Sequence, residues 1–253
     1  MVLAAAGAWI LIAAVACTDL GPDGAPASIA FDVLPYPSVV VEDTLRNHFG
    51  EPATLQASVL DAGNEPVPDA PVRFVALDSG VTITEEGYVI GRAYGQTVRI
   101  VAQVGQLQSL SLPVFVTRRP DRVHVVDDTE IVIEYLPGEV VDSGGLDVRV
   151  VHDTPPAPGD TVVPHWVVTY EIVGQAPGDT VPGYLVNANG TRRASADTTD
   201  AIGVASLQFR LNSATLQVLH DTLEVRASVL HRGDVLPGSP VSFLLLIRPR
   251  TTS

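Results

Sequence analysis

Alternation of apolar and polar residues in short runs is the feature that most constrains the fold of this chain. In the first half, the runs lie at residues 55–59, 72–76 and 98–102. A period of two places successive side chains on opposite faces, so each run predicts a half-buried β-strand. Segments rich in Gly, Pro, Asn and Asp, such as residues 63–69, separate the runs and predict turns. Turns at intervals of roughly eight to twelve residues are typical of a β-sandwich.

The second half repeats this pattern. Its runs lie at residues 146–151, 163–170 and 223–229, and an apolar run closes each half, at 112–116 and 241–247. A repeat of roughly 100 to 120 residues has the size of an immunoglobulin-like domain. Residues 211–219 are a short candidate for a helix, but they lack good capping residues. The sequence therefore predicts an all-β fold with two tandem immunoglobulin-like β-sandwiches.

Two glycine-containing motifs carry a family resemblance. In residues 87–102 a glycine-bounded strand leads through Gly95 into a strand that ends in alanine, and residues 199–207 begin Thr-Asp and continue through Gly203 into an alternating strand. Glycine permits positive φ, and Asp200 can close a turn through its carboxylate. The first motif resembles the bacterial immunoglobulin-like domains of intimins, and the second is similar to the sister group found in invasins. The resemblance implies the fold, whereas a fold of this kind serves many functions.

The first residues predict export. Residues 2–17 carry no charge and end in Ala14-Val15-Ala16-Cys17. This segment is shorter than the roughly 20 residues that span a membrane as a helix, so it predicts a cleaved signal. Its end resembles a bacterial lipoprotein signal, which implies removal of residues 1–16, lipidation of Cys17 and a place at the outer membrane or cell surface. The alternative is an ordinary anchor or secretory signal with a free cysteine.

The predicted organisation follows from these features. It consists of a signal peptide at 1–16, a lipidated cysteine and flexible leash at 17–27, a first immunoglobulin-like domain at 28–118, a linker at 119–122, a second domain at 123–248 and a disordered tail at 249–253. Three arginines lie at Arg118, Arg119 and Arg122, and we expect them to pair with the nearby Asp127 and Asp128.

Composition argues against several functions. Cys17 is the only cysteine, so the chain cannot form internal disulfides. All 15 basic residues are arginine, which removes lysine-based nucleophilic catalysis. The net charge of -14 disfavours nucleic acid and anionic membrane surfaces, because phosphate binding requires clustered cations.

The sequence Asp-Ser-Gly occurs at residues 78–80 and 142–144 and resembles the paired loops of aspartic proteases. Such an enzyme would need Asp78 and Asp142 to converge and share a proton. Only 11 positions separate Asp78 from Val89, which are too few for the intervening strands of that fold. We therefore expect turns between strands. We predict no catalytic residues and no enzyme.

Metal, cofactor and glycan signals are weak. The six histidines are scattered, and no phosphate-binding glycine loop occurs, so we predict neither a metal nor a cofactor. Residues 61–65 could ligate calcium but favour an Asx turn. Asn189-Gly190-Thr191 fits a glycosylation acceptor but favours a hairpin turn.

Trp166 lies in a predicted strand of the second domain, where core packing is the favoured interpretation. The alternative is a sugar-binding platform formed by Trp166, Tyr170 and Tyr184. Together these features predict a non-catalytic, lipid-anchored cell-envelope protein that acts as a surface spacer or an adhesive module. A second interpretation is a polysaccharide-binding or protein-binding component of an envelope export or uptake system. The expected partners are the membrane, through the lipid on Cys17, and an envelope protein or polysaccharide, while the oligomeric state stays open.

Overall fold

The computed structural model describes residues 24–153, 162–173, 182–215 and 222–250. The predicted signal peptide at 1–16 and the lipidation site Cys17 lie outside the described residues. Within them the fold is all-β, and the single helical element is a 3-10 turn at Ser213–Thr215. The described part contains no helix that is long and apolar enough to span a bilayer.

The first sandwich is built from nine short strands. They are β1 (Ser28–Ala30), β2 (Ser38–Val40), β3 (Ser58–Leu60), β4 (Arg73–Ala76), β5 (Val81–Ile83), β6 (Val89–Gly91), β7 (Thr97–Val104), β8 (Leu107–Gln108) and β9 (Leu112–Thr117). One sheet has the order β2-β9-β7-β4, with β2 parallel to β9, and β8 pairs with β7. The opposite layer contains the pairs β1-β3 and β5-β6, which a bridge between Thr54 and Tyr88 joins. The core between the layers includes Leu45, Val98 and Ile100.

The second sandwich is larger. Its strands are β10 (Arg122–Val125), β11 (Glu130–Tyr135), β12 (Val140–Asp142), β13 (Leu146–Val151), β14 (Val167–Val173), β15 (Gly183–Asn187), β16 (Ala196–Thr198), β17 (Val204–Asn212), β18 (Thr222–Ser228), β19 (Leu230–His231), β20 (Asp234–Val235) and β21 (Val241–Pro249). One sheet contains β10-β13-β17, with β12 and β15 also on β17, and the other has the order β11-β21-β18-β14-β16. β11 runs parallel to β21, whereas β18 and β21 are antiparallel.

Both halves have the strand arrangement of an immunoglobulin-like domain, in which two sheets with crossed-over connections face each other over an apolar core. Alternation produces this core directly. In β17 every second side chain is buried, among them Leu207 and Phe209, which are fully enclosed. Burying one such side chain stabilises the fold by roughly 1.5–3 kcal/mol. The predicted all-β fold with two tandem sandwiches is confirmed.

Three sequence predictions differ from the structure in detail. The strand predicted at 163–170 begins only at Val167, because Pro164 and His165 form a turn in which His165 has a φ of 58°. The short helix candidate at 211–219 begins inside a strand, since Leu211 belongs to β17. Only Ser213–Thr215 form a 3-10 turn, and residues 216–219 lie outside the described part. The prediction placed the start of the disordered tail at residue 249, which is too early. β21 extends to Pro249, and the N–H of Arg250 donates to the carbonyl of Tyr135 at 2.8 Å.

Candidate functional site

The two sandwiches meet at a seam of aromatic and hydrogen-bonded residues, which we call the junction. Tyr36, just before β2, packs its ring 5.1 Å from that of Trp166, just before β14. The N–H of Val167 donates to the hydroxyl of Tyr36 at 3.0 Å, and the hydroxyl of Ser38 donates to the carbonyl of His165 at 2.7 Å. Direct polar contacts therefore fix the orientation at which the first sandwich meets the second.

Thr199 shapes the second sandwich's side of the junction. Thr199 is 1% exposed. Its hydroxyl donates to the carbonyl of Val163 at 2.7 Å and accepts a hydrogen bond from the N–H of Trp166 at 2.8 Å. These two bonds hold the turn at Pro164 and His165 in place. The indole N–H of Trp166 then donates to the carbonyl of Leu230 at 3.1 Å, so the ring has one defined orientation.

A shared carboxylate links the sandwiches electrostatically. Asp43 pairs with Arg46 of its own sandwich at 3.1 Å and with Arg232 of the other at 2.9 Å. Burial raises the pKa of Asp43, but hydrogen bonds from Arg46, from the N–H of Thr44 and from Arg232 outweigh it and hold that pKa below its ordinary value. Because its side chain is only 10% exposed, Asp43 is shielded from solvent screening.

His231 completes the charged side of the junction. Its ring lies 5.7 Å from that of Trp166, and its buried Nδ1 has no hydrogen-bond partner among the described residues. Burial lowers the pKa of His231, and the positive charge of Arg232 lowers it further, whereas Asp43 opposes the shift. The neutral imidazole is therefore the form that the closed junction favours.

A cleft of about 50 Å³ lies within the junction and is lined from both sides, with Tyr36 and Asp43 facing Trp166 and His231. This space holds a few water molecules and is well below the roughly 300 Å³ of a small-molecule site. At its rim Gly50 has a φ of 85°, and a Cβ there would lie 1.9 Å from the backbone nitrogen of Gly233. Backbone and side chains of both sandwiches therefore pack closely around this cleft.

The three aromatic residues predicted to bind a ligand do not form one open platform. Trp166 is 6% exposed at the junction, and Tyr170 is 4% exposed inside the second sandwich. The hydroxyl of Tyr170 lies 3.0 Å from the carbonyls of Leu146 and Ala205, and burial raises the pKa of this phenol. A ligand-binding role for these residues stays a prediction.

Tyr184 is the most accessible of the three. Its ring lies 3.8 Å from the guanidinium carbon of Arg193, a cation–π contact. Together with Tyr170 and Leu185, these two residues line a shallow groove of about 530 Å³. Size and aromatic lining would allow a ligand here, although the cation already covers one face of the Tyr184 ring.

The two Asp-Ser-Gly segments lie in different sandwiches, and each aspartate pairs with an arginine. Asp78 accepts two bonds from the guanidinium of Arg99 at 2.9 Å, which hold the pKa of Asp78 at about 2. Asp142 accepts two bonds from Arg210 at 2.6 Å. Asp78 and Asp142 therefore do not form a carboxylate dyad.

The remaining candidate motifs are turns. The carboxylate of Asp61 accepts the N–H groups of Gly63 and Glu65, which is the predicted Asx turn. Asp200 closes its turn in the same way, by accepting the N–H groups of Ile202 and Val204. In the described ranges no three His, Asp or Glu side chains come together as metal ligands.

Asn189-Gly190-Thr191 lies in the turn after β15, where the chain folds back so that Val186 bridges antiparallel to Arg193. The side-chain oxygen of Asn187 closes this hairpin by accepting the N–H of Thr191 at 2.9 Å, and Gly190 has a φ of 64°. The predicted hairpin turn at Asn189-Gly190-Thr191 is therefore confirmed.

The linker arginines are paired, but with other partners than the sequence predicted. Arg119 pairs with Asp121 at 2.6 Å, and Arg122 pairs with Asp153 at 2.9 Å, instead of with Asp127 and Asp128. The partners differ because β10 pairs with β13, which brings Asp153 beside the linker.

Sequence analysis missed the residues that make the junction: Tyr36, Asp43, Thr199 and His231. One signal for the first was available, because Pro35 and Pro37 hold Tyr36 in an extended segment that cannot pair fully in a sheet. Thr199 belongs to the motif at 199–207, but that motif gave no sign that its hydroxyl bonds to Val163 and Trp166. Nothing in the local pattern marks Asp43 or His231.

The chain thus consists of two immunoglobulin-like β-sandwiches in tandem, and the strand topology alone establishes this fold. No model of a protein family matches the sequence, and comparison with curated proteins gives no match. Among solved structures, the chain is similar to the adhesin InvE of Yersinia pseudotuberculosis at 18% identity, over 83% of this chain and 56% of that one, with a TM-score of 0.34.

Two further solved structures are similar at comparable scores. Domains 4–9 of the surface layer protein SbsC share 17% identity over 88% of this chain and 31% of that one, with a TM-score of 0.29. The titin immunoglobulin tandem A164-A165 shares 7% identity over 84% of this chain and 93% of that one, with a TM-score of 0.29. The chain therefore spans about half the length of the adhesin structure and about a third of the surface layer structure.

Proposed function

We propose that this chain is a non-catalytic, lipid-anchored protein of the bacterial cell envelope, in which two sandwiches act as a surface spacer or an adhesive module. The observation that carries the proposal is the junction. Sandwiches joined only by a linker move independently by default. Here Tyr36, Ser38 and Asp43 of the first sandwich each bond to the second.

A fixed junction supports a spacer because it transmits the position of one domain to the next. Loops at the far end of the second sandwich are then held at a defined separation from the leash that would carry the lipid. Rigid sheets that present loops are a common platform for protein contacts. The pairing of Asp78 and Asp142 with arginines supports a role without catalysis.

Lipidation is tested by labelling cells that express the full chain with a palmitate analogue. The wild type should incorporate the label and sediment with membranes, whereas Cys17→Ser should be unlabelled and released. Thr18→Ser is the matched control, because it keeps the thiol and should behave as the wild type does. If Cys17→Ser stayed fully membrane-bound, the lipid anchor would be rejected.

The second candidate is a polysaccharide-binding or protein-binding component of an envelope export or uptake system. The groove beside Tyr184 and Arg193 favours it, since aromatic rings and guanidinium groups are frequent sugar contacts. The test is saturable retention of the detergent-solubilised chain on polysaccharide and protein fractions of the envelope. Loss of polysaccharide retention in Tyr184→Ala, with Tyr94→Ala unchanged, would favour this candidate over the spacer.

The emission of Trp166 gives an independent reading of the two candidates. Trp9→Phe leaves Trp166 as the single tryptophan. A spacer predicts blue-shifted emission that does not respond to envelope glycans, because the ring is buried at the junction. A glycan-dependent shift would instead indicate a binding component.

A further inference from the structure

The ring of His231 lies in the wall of the cleft between the two sandwiches, against the ring of Trp166. Its Nδ1 is buried and has no hydrogen-bond partner among the described residues. A neutral imidazole tolerates this position, because an unprotonated ring nitrogen carries only a lone pair. Protonation makes both ring nitrogens donors, and a buried donor without an acceptor destabilises the state that contains it. The closed junction therefore accommodates His231 only as the neutral ring.

Positive charge surrounds this ring. Burial is the main cause that lowers the pKa of His231. The charges of Arg232, Arg46 and Arg119 lower it further, and they come from the same hairpin, from the loop after β2 and from the linker. Among the described residues Asp43 is the only carboxylate that opposes them, and both of its oxygens already accept bonds from Arg46 and Arg232. A protonated His231 would add a cation where two guanidinium groups already share one carboxylate.

Two further titratable side chains line the cleft, Tyr36 and His48. Burial raises the pKa of Tyr36, so this phenol stays neutral in mild acid. The His48 residue is exposed, and its ring stacks on that of Phe49 with 3.7 Å between the centroids. Water can solvate a charged His48 without any movement of the sandwiches, which leaves His231 as the group whose charge the closed junction resists.

The hairpin that carries His231 also ties the sandwiches together. Arg232 is the next residue, and it pairs with Asp43 of the first sandwich at 2.9 Å. β19 and β20 share two register pairs, so this hairpin is a small element that can move as a unit. A displacement of His231 towards water therefore draws Arg232 away from Asp43.

The connection between the sandwiches is short. The N–H of Val41 donates to the carbonyl of Thr117 at 2.9 Å, which is a bond within the first sandwich. The N–H of Asp121 donates to the carbonyl of Val151 at 2.9 Å, which ties the chain to the second. Residues 118–120 lie between these bonds, so a change in the angle between the sandwiches takes place about them. Without the junction contacts, domains joined in this way move independently by default.

We propose that protonation of His231 opens the junction, so that the sandwiches keep one angle near neutral pH and rotate about residues 118–120 in acid. The proton binds more strongly to the open form, where water solvates the ring, and linkage therefore makes acid favour that form. As the pH falls below about 6.5, the ratio of open to closed molecules should rise by up to tenfold for each pH unit, until the ring of the closed form is also protonated. This inference goes beyond the proposed function and does not depend on the lipid.

The test measures the distance between the sandwiches by pulsed electron spin resonance in the full chain. Cys17→Ser removes the only native thiol, and Leu110→Cys and Ile202→Cys place labels at positions that are 86% and 60% exposed. The distance distribution should be narrow at about pH 7.5 and broader at about pH 5. Circular dichroism at each pH distinguishes opening from unfolding.

The same series in a Gly50→Ala background makes a small shift measurable, because a Cβ at position 50 meets the backbone of Gly233 and loosens the junction. There the broadening should begin at a higher pH than in the wild type. Distributions that do not change with pH in either protein would overturn the proposal.

His231→Gln cannot take up the proton and should keep the narrow distribution at about pH 5, with at least about threefold fewer open molecules than the wild type. His231→Phe keeps a neutral ring beside Trp166, and it serves if His231→Gln does not fold by circular dichroism. His48→Gln is the matched control, since it removes the other histidine of the cleft, and it should open as the wild type does. Opening in the His231 variants equal to that of the wild type, or loss of opening in His48→Gln, would show that His231 is not the switch.

Discussion

At the scale of single residues, buried polar groups determine where the strands of the second sandwich turn. Thr199 makes one bond as a donor and one as an acceptor within a site that water does not reach. A valine side chain would fill nearly the same space without making these bonds. The hydroxyl therefore fixes the turn before β14. This turn determines how the Trp166 side chain is oriented.

Thr199→Val should lower the free energy of unfolding by about 1–3 kcal/mol, because it leaves the N–H of Trp166 and the carbonyl of Val163 buried without partners. Urea denaturation followed by circular dichroism measures this loss. Thr97→Val, on an exposed position of β7, is the control and should change stability by less than about 0.5 kcal/mol. Equal effects of the two substitutions would show that the Thr199 hydroxyl is not a structural tie.

His231 makes the junction sensitive to acid. Burial is the main cause that lowers the pKa of His231, the charges of Arg232, Arg46 and Arg119 lower it further, and only Asp43 opposes them. Stability contributed by the neutral ring is complete above the ordinary histidine pKa of about 6.5. It is lost as the pH falls below that value, because the unfolded chain takes up the proton first.

We therefore expect His231→Gln to lose less stability than the wild type between about pH 7 and pH 5. Urea unfolding at several pH values gives the comparison. His124→Gln removes an exposed histidine of β10 and should leave the wild-type slope unchanged. A slope in His231→Gln as steep as that of the wild type would exclude this residue as the source.

At the scale of elements, close backbone approaches determine how the two layers of the first sandwich join. Gly91 ends β6 beside β2, and a Cβ there would lie 2.5 Å from the carbonyl oxygen of Val40. The N–H of Glu42 donates to the carbonyl of Gly91 at 2.9 Å. Only glycine allows the strands to approach at this distance.

Gly91→Ala should destabilise the chain by about 1–3 kcal/mol, since the added methyl meets backbone that cannot rotate away. Differential scanning calorimetry should show the loss in the transition of the first sandwich. Gly144→Ala is the control, because its Cβ would meet only a side-chain carbon of Ile131 at an ordinary 3.9 Å. A Gly91→Ala protein as stable as the Gly144→Ala protein would contradict the close approach.

Long strands could be predicted from the sequence, whereas short and parallel ones could not. Alternation marked the first half of β17, within the motif at 199–207, although the helix candidate at 211–219 took its last residues. A three-residue strand such as β2 shows no period, and its three positions are all buried, so it gives no alternating signal. The parallel pairing of β11 with β21 joins residues more than one hundred positions apart and depends on the register of the whole sheet.

The junction was equally hidden from the sequence. Tyr36 and Val167 are 131 positions apart, and their contact depends on how the linker orients the two sandwiches. The sequence favoured a buried Trp166, but no pattern in it indicated that the other sandwich helps to bury this ring. Local periodicity predicts which side chains leave solvent, but it does not predict which domain covers them.

At the scale of the whole molecule, a single backbone contact limits how the sandwiches can be arranged. Gly50, in the loop before β3, lies against Gly233 in the turn between β19 and β20. The Asp43–Arg232 ion pair lies beside this contact. A residue with a side chain at position 50 would separate the two loops and open the cleft.

Gly50→Ala should therefore loosen the junction and cost about 1–3 kcal/mol more than Gly95→Ala. Both glycines have positive φ, so both substitutions strain the backbone, but a Cβ at Gly95 meets no atom within 4 Å. Pulsed electron spin resonance distances between labels on the two sandwiches should broaden only for Gly50→Ala. Equal distance distributions in the two variants would mean that this contact does not set the domain arrangement.

The parallel pairing at the ends of each sandwich has a mechanical consequence. When the chain is pulled at its ends, the force acts on a sandwich through its early strand and its last strand. Because these two strands are parallel neighbours, the force shears them past each other along their length. All hydrogen bonds of the pair then resist together instead of opening one at a time. β2 and β9 share three register pairs, whereas β11 and β21 share six, so the first sandwich should yield at the lower load.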